Sequence, residues 1–182
     1  RAVVKCGLGE RLGHLVVSAF GRSTLGLGYS IFLVDGVIAP AFPSNTARSG
    51  VLYPLVLSVA EAAGARPGQE GRQRLGSFLM FSGIASLTVS SALWFTAMAA
   101  NPLGAEIARG YGLEIGFGSW LAAASVPTLV AMLLLPLFLH KILAPEVTAT
   151  PEAPLAARAA LARMGPLARE EKTVAATFVG MV

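Results

Sequence analysis

No charged residue lies between Arg74 and Glu106, and none lies between Glu114 and His140. A helix that crosses a bilayer needs ~20 predominantly apolar residues, and both stretches exceed that. The pattern predicts membrane helices over about residues 75–100 and 117–139. The first is interrupted near its end by Asn101-Pro102, because proline lacks a backbone donor and disfavours helical geometry in the residue before it. Pro127 and Pro136 in the second suggest kinks rather than breaks. Only 13% of the residues are charged, against about 25% in an ordinary soluble domain. Much of this surface therefore faces lipid, and the expected fold class is an all-α integral membrane protein.

The formal net charge of +4 does not point to nucleic acid. The charges fall in short clusters between apolar runs, with no basic stripe interleaved with aromatics; they read as topogenic loop charge. Cys6 is the single cysteine, which excludes an internal disulfide and a cysteine-based zinc cluster. His14 and His140 have no ligand-like neighbours in sequence. No nucleophile–base pair or pair of acid/base carboxylates is visible, so an enzyme is not expected and no cofactor is implied. Gly26-Leu27-Gly28 lacks the βαβ context of a nucleotide loop. The chain begins at Arg1 and stays apolar to Val182, and it reads as an internal segment of a longer protein.

Seven segments follow. Residues 1–24 end a preceding membrane or interfacial helix, and 25–64 form a helical hairpin with its turn at 40–48. Residues 65–74 are a loop, 75–110 a broken transmembrane helix, and 117–141 a further transmembrane helix. Residues 142–172, punctuated by four prolines, read as a solvated linker with a short surface helix over 155–164. Glu170-Glu171 reads as a solvated helix start, and 173–182 begin the next transmembrane helix. Arg66, Arg72 and Arg74 on one side, with Lys141 to Lys172 beyond the second span, place 65–74 and 142–172 in the cytoplasm.

The hairpin is the informative part. Two ~15-residue arms reach roughly 22 Å each, short of a ~30 Å hydrocarbon core. Either the turn is exposed to water, or the hairpin is re-entrant with its turn buried inside protein at membrane depth. Asp35 and Arg48 favour the re-entrant form, because charges within apolar arms must face a protein interior or a watery cavity. The two could pair across the hairpin, or Arg48 could meet a substrate carboxylate; the structural pair is favoured, since a buried charge with a partner is the less costly arrangement.

Pro43 ends one helix, and Ser44 is a preferred N-cap for the next. The free amides and positive dipole end that follow form a natural anion site. Ser44, Asn45 and Thr46 add donors suited to a carboxylate, with oxygens left for a small cation. Secondary carriers commonly aim the ends of discontinuous helices at a substrate in this way. The alternative is a capped structural turn in a non-transporting membrane scaffold or assembly subunit.

Ser23-Thr24-Leu25-Gly26-Leu27-Gly28-Tyr29 and Ala39-Pro40-Ala41-Phe42-Pro43-Ser44-Asn45-Thr46-Ala47-Arg48 resemble the divalent anion:sodium symporter family, in its 2-oxoglutarate/malate translocator branch. Gly76-Ser77-Phe78-Leu79, Thr96-Ala97-Met98-Ala99-Ala100-Asn101-Pro102, Pro151-Glu152-Ala153-Pro154 and Met164-Gly165-Pro166 extend the likeness. The resemblance implies one inverted-repeat half of a secondary transporter, with a re-entrant hairpin and a broken helix, working as a homodimer by an elevator-like movement. The function it implies is transport of di- or tricarboxylates (2-oxoglutarate, malate, succinate or citrate) by anion exchange or sodium symport. It also implies a multi-pass protein among membrane lipid, in a bacterial inner membrane. It carries substrate binding to Ser44, Asn45, Thr46, Thr96 and Asn101, and a sodium site to Ser44, Asn45 and Ala99. Pro40 stands where sodium-coupled members have a hydroxyl residue, and Ala99-Ala100 where they have a Gly/Ser/Pro-rich loop.

Overall fold

The computed structural model describes residues 8–66 and 72–181; Cys6 and the middle of the loop expected at 65–74 lie outside them. The described residues are helical apart from short connections: α1 (Leu8–Phe20), α2 (Thr24–Ile38), a 3-10 turn (Ala39–Ala41), α3 (Asn45–Ala62), α4 (Gln73–Leu93), α5 (Ala100–Arg109), α6 (Phe117–Leu143), α7 (Glu152–Met164) and α8 (Arg169–Met181).

Helix α2 is apolar on every side apart from Thr24, Ser30 and Asp35, as suits a helix enclosed on most sides. Ser23 caps it, its Oγ accepting from the Gly26 amide at 3.0 Å. Together α2 and the 3-10 turn run 18 residues, and α3 is equally long, roughly 27 Å each. The arms are therefore longer than the sequence pattern suggested, because the helical course begins at Thr24 and continues through Pro40. Leu27, Ile31 and Val34 of α2, Leu52, Val56 and Val59 of α3, and Leu75, Phe78 and Leu79 of α4 form the core. At Gly28 a Cβ would lie 2.6 Å from Phe78 Cζ, so only glycine lets α2 approach α4 this closely. His140 packs edge-on against the other side of that ring, with centroids 5.5 Å apart.

Helix α2 with its 3-10 turn, α4 and α6 are each long and apolar enough to cross a membrane. Most of α6 lies outside the core, with Val126, Leu129, Val130, Leu133 and Leu134 exposed. In water so wide an apolar face would be unstable; against lipid it is the solvent-matched surface. Pro127 and Pro136 stay within this one helix.

The expected break at Asn101-Pro102 is displaced. Helix α4 stops at Leu93, and Asn101-Pro102 fall in the first turn of α5. Proline is tolerated there, where its missing amide would have no helical partner in any case. It starts the second half-helix instead of ending the first.

The expected solvated linker is also corrected. Residues 146–150 form a strap across the starts of two helices. The Thr24 amide donates to Thr148 O at 3.1 Å, and the Thr24 hydroxyl to Val147 O. The Thr150 amide and hydroxyl bond Arg22 O and Gly21 O, both at 2.9 Å. Ala153, Pro154 and Ala157 of α7 are buried, and α7 packs along α1. Helix α8 starts at Arg169 rather than Thr173, and Glu171 is buried instead of solvated. Arg11 binds both its oxygens, at 2.8 and 3.2 Å, and also Gly165 O at 2.9 Å. Those hydrogen bonds hold the Glu171 carboxyl below the usual range.

Glu146 caps α4 from a distance in sequence, accepting from the Arg74 and Leu75 amides at 2.9 and 3.0 Å. Desolvation works against its charged form, but the backbone amides outweigh it and hold Glu146 below the ordinary carboxylate range. The cap is therefore complete above that range and is lost as pH falls through the lowered value. Glu146→Ala is expected to speed hydrogen exchange at the Arg74 and Leu75 amides about fivefold, the equivalent of a ~1 kcal/mol cap. Unchanged exchange would show that the carboxylate contributes nothing there.

Candidate functional site

The turn of the hairpin follows from its prolines. Phe42, preceding Pro43, is extended (φ −124°, ψ 102°), as a residue before proline prefers. Ser44 stays extended and caps α3: its Oγ accepts from the Ala47 amide at 3.3 Å, and its carbonyl from the Arg48 amide at 3.0 Å. The amides of Asn45 and Thr46 precede that first helical bond, so they emerge at the positive end of an 18-residue helix with no partner among the described residues.

The second break is tied to the first. Between α4 and α5, the Ala99 amide donates to Pro43 O at 3.1 Å and the Thr96 hydroxyl to Pro40 O at 3.1 Å. Asn101 Nδ2 donates to Ser91 O and Trp94 O at 2.8 and 3.1 Å, taking up carbonyls left over where α4 ends. Trp94 Nε1 donates to Gly36 O at 2.8 Å, fastening the end of α4 to α2. Ser44, Asn45, Thr46, Thr96, Ala99 and Asn101 are thus gathered around one junction of three chain segments. Thr46, Thr96 and Ala99 are exposed there; Ser44, Asn45 and Asn101 are partly so.

Beneath the turn lies a buried charged network. Asp35 of α2 and Arg48 of α3 both have zero exposure, with Arg48 Nε 2.9 Å from Asp35 Oδ1. They meet as charges but out of line for a hydrogen bond, and Arg48 Nη1 has no partner among the described residues. The remaining bonds run to α4. Ser90 donates to Asp35 Oδ2 at 2.5 Å, while Arg48 Nη2 donates to Leu87 O and to Ser91 Oγ, both at 2.7 Å. The two protons of Arg48 Nη2 serve those closer partners, with Asn45 Oδ1 a more distant neighbour at 3.2 Å, and the single Ser91 hydroxyl proton is shared between that oxygen at 2.6 Å and Leu87 O at 2.5 Å.

Two consequences follow for the chemistry. Arg48 is neutralised across the hairpin, so the attraction available to an anion comes from the start of α3. With its Oδ1 turned toward Ser91 and Arg48, Asn45 is left with its amide N–H groups as the free arm, which suits an anion's oxygen. Sequence reasoning missed Ser90 and Ser91. The signal for Ser90 was the buried row Ser82, Ser86 and Ser90 at four-residue spacing on one face of α4; Ser91 lies off that row. No group of three or more His, Cys, Asp or Glu able to hold a metal occurs among the described residues.

The chain matches the sodium:sulfate symporter transmembrane region over residues 1–182. It is 40% identical over 181 residues to dicarboxylate transporter 1, chloroplastic, of Spinacia oleracea, covering 98% of this chain and 32% of that protein. It is 42% identical over 180 residues to dicarboxylate transporter 1, chloroplastic, of Arabidopsis thaliana, with the same two coverages. The inner membrane protein YbhI of Escherichia coli is 38% identical over 180 residues, 98% of this chain and 37% of that protein. The chain therefore spans about a third of the length of these relatives. With apolar helices, a twice-interrupted backbone and a match from end to end, the chain belongs to the divalent anion:sodium symporter family, in its malate and dicarboxylate branch.

Proposed function

We propose that the whole protein is a secondary carrier of dicarboxylate anions, and that Ser44, Asn45 and Thr46 form half of its substrate site. The observation that carries this reading is the junction of the α3 start with the second break through the Ala99–Pro43 bond. It presents unpaired amides, hydroxyls and the Asn45 N–H groups at one place, on a chain whose relatives are dicarboxylate transporters. 2-Oxoglutarate, malate and succinate fit this donor set, and citrate extends it to a tricarboxylate. A matching half from elsewhere in the protein, a homodimer and an elevator-like movement complete the proposal.

Anion exchange is favoured over sodium symport. The Asn45 oxygen that a sodium ion would need already faces the Ser91 hydroxyl and the Arg48 guanidinium, and Ser44 Oγ accepts from the Ala47 amide. A sodium ion at the Asn45 oxygen would have to compete with the Ser91 proton, whereas Ser44 Oγ keeps a second lone pair. The test is uptake of radiolabelled malate and 2-oxoglutarate by the full-length protein in liposomes. Internal dicarboxylate should stimulate uptake, and a sodium gradient should not; the reverse would establish symport. Thr46→Ala, at an exposed hydroxyl, should lower uptake about 10- to 100-fold, as expected for losing a donor to a charged group. Wild-type uptake by that variant would remove Thr46 from the site.

A further inference from the structure

We propose a binding site for an anionic phospholipid between α3 and α4, with the lipid's phosphate at Arg66 and Arg72 and an acyl chain along the helices. A cavity of about 430 Å³ opens between the two helices, walled by Leu52, Tyr53 and Val56 on one side and Gly83 and Ile84 on the other. It is nearly free of polar atoms. A second cavity of about 230 Å³ lies toward the base of the same helix pair, lined by Arg66, Arg72, Gln73 and Ser77. Leu57 and Met80 wall both, so the apolar groove leads directly into the basic pocket.

That order of chemistry selects the occupant. A free anion would use the pocket and ignore the groove, and a neutral apolar molecule would do the opposite. A phospholipid with an anionic headgroup uses both. Gly83 leaves the wall bare: a Cβ there would make only ordinary contact with Val56, at 3.4 Å. Tyr53 and Ile84 at its rim are more than half exposed. The arginines are placed rather than free-floating in one case: Arg72 donates through Nη1 to Ala63 O at the end of α3. Arg66 is exposed and makes no ion pair among the described residues. Loop charge puts both on the cytoplasmic side, where anionic headgroups concentrate. The groove runs from Leu57 up to Ser49, within two turns of Asn45, so a seated lipid would brace the arm that carries the turn.

Native mass spectrometry of the full-length protein, with phosphatidylglycerol or phosphatidylcholine added to detergent micelles, tests this directly. The wild type should retain phosphatidylglycerol over phosphatidylcholine by roughly tenfold or more, from two arginines. Arg66→Gln with Arg72→Gln should bring that preference near unity. Ile84→Trp, which fills the groove from an exposed position, should reduce retention of both lipids, and Gly83→Leu serves as a second filler. Glycerophosphoglycerol, the headgroup without chains, should not displace the lipid. Displacement by it would make the site one for a free anion and overturn the proposal. So would unchanged lipid retention in the arginine or the filling variants, the result expected if another protein segment covers the groove.

Discussion

Asp35→Asn is expected to destabilise the full-length protein by about 3–5 kcal/mol, the usual consequence of stripping one partner from a buried ion pair. Arg48 is fully enclosed, and it keeps only Leu87 O, Ser91 Oγ and Asn45 Oδ1 once the carboxylate is gone. An uncompensated guanidinium in an apolar interior is the costly state. Replacing both residues together, as Asp35→Leu with Arg48→Met, should recover most of the loss, because two well-packed apolar side chains need no counter-charge. The double variant should nonetheless transport poorly, since Asn45 loses the guanidinium beside its oxygen. Thermal unfolding of the detergent-solubilised protein gives the comparison. A single variant as stable as the wild type would show that the pair is not what holds α2 to α3.

Asn45→Asp should abolish carboxylate uptake, by about 100-fold or more, while leaving the fold intact. The change exchanges the free amide N–H groups for a second oxygen and sets a negative charge where the proposed site would hold the substrate's own carboxylate. Like charges brought together oppose binding by several kcal/mol, which at 1.4 kcal/mol per tenfold exceeds two orders of magnitude. The fold has no reason to suffer. A carboxylate at the first position of a helix favours the dipole, and it can still accept from Ser91 and Arg48. Uptake with a normal unfolding midpoint is therefore the informative pair of measurements. An aspartate variant that transports like the wild type would place the substrate elsewhere.

What could be read in advance followed from short-range rules. The two charge-free runs announced α4 and α6, because a bilayer core tolerates little else. Pro43-Ser44 announced the start of α3 through local backbone preference. Asp35 and Arg48 stood out because charge is rare in apolar arms, although their exact partners on α4 did not. The errors have a common origin as well. Asn101-Pro102 was taken as the interruption of a broken helix when it lies just past the gap and opens the second half, since proline's missing amide marks a boundary without saying on which side the helix lies. The strap at 146–150, the cap from Glu146 and the Arg11–Glu171 pair join residues about 70 to 160 positions apart. Nothing in the local pattern of a proline-punctuated stretch distinguishes such docking from solvation. Half-burial of Asn45, and the direction of its amide, likewise depended on Ser91, a residue on a different helix.

The bond from Ala99 to Pro43 has a practical meaning for anyone wishing to exchange parts between relatives. A hairpin grafted alone into another carrier would arrive without the amide that meets its proline carbonyl and without the hydroxyls of Ser90 and Ser91. The transplantable unit is therefore discontinuous in sequence, comprising the turn together with the last turn of α4 and the six residues after it. Selectivity swaps that respect this unit should retain uptake, whereas exchanges cut between residues 62 and 73 should yield chimeras that insert but do not carry substrate.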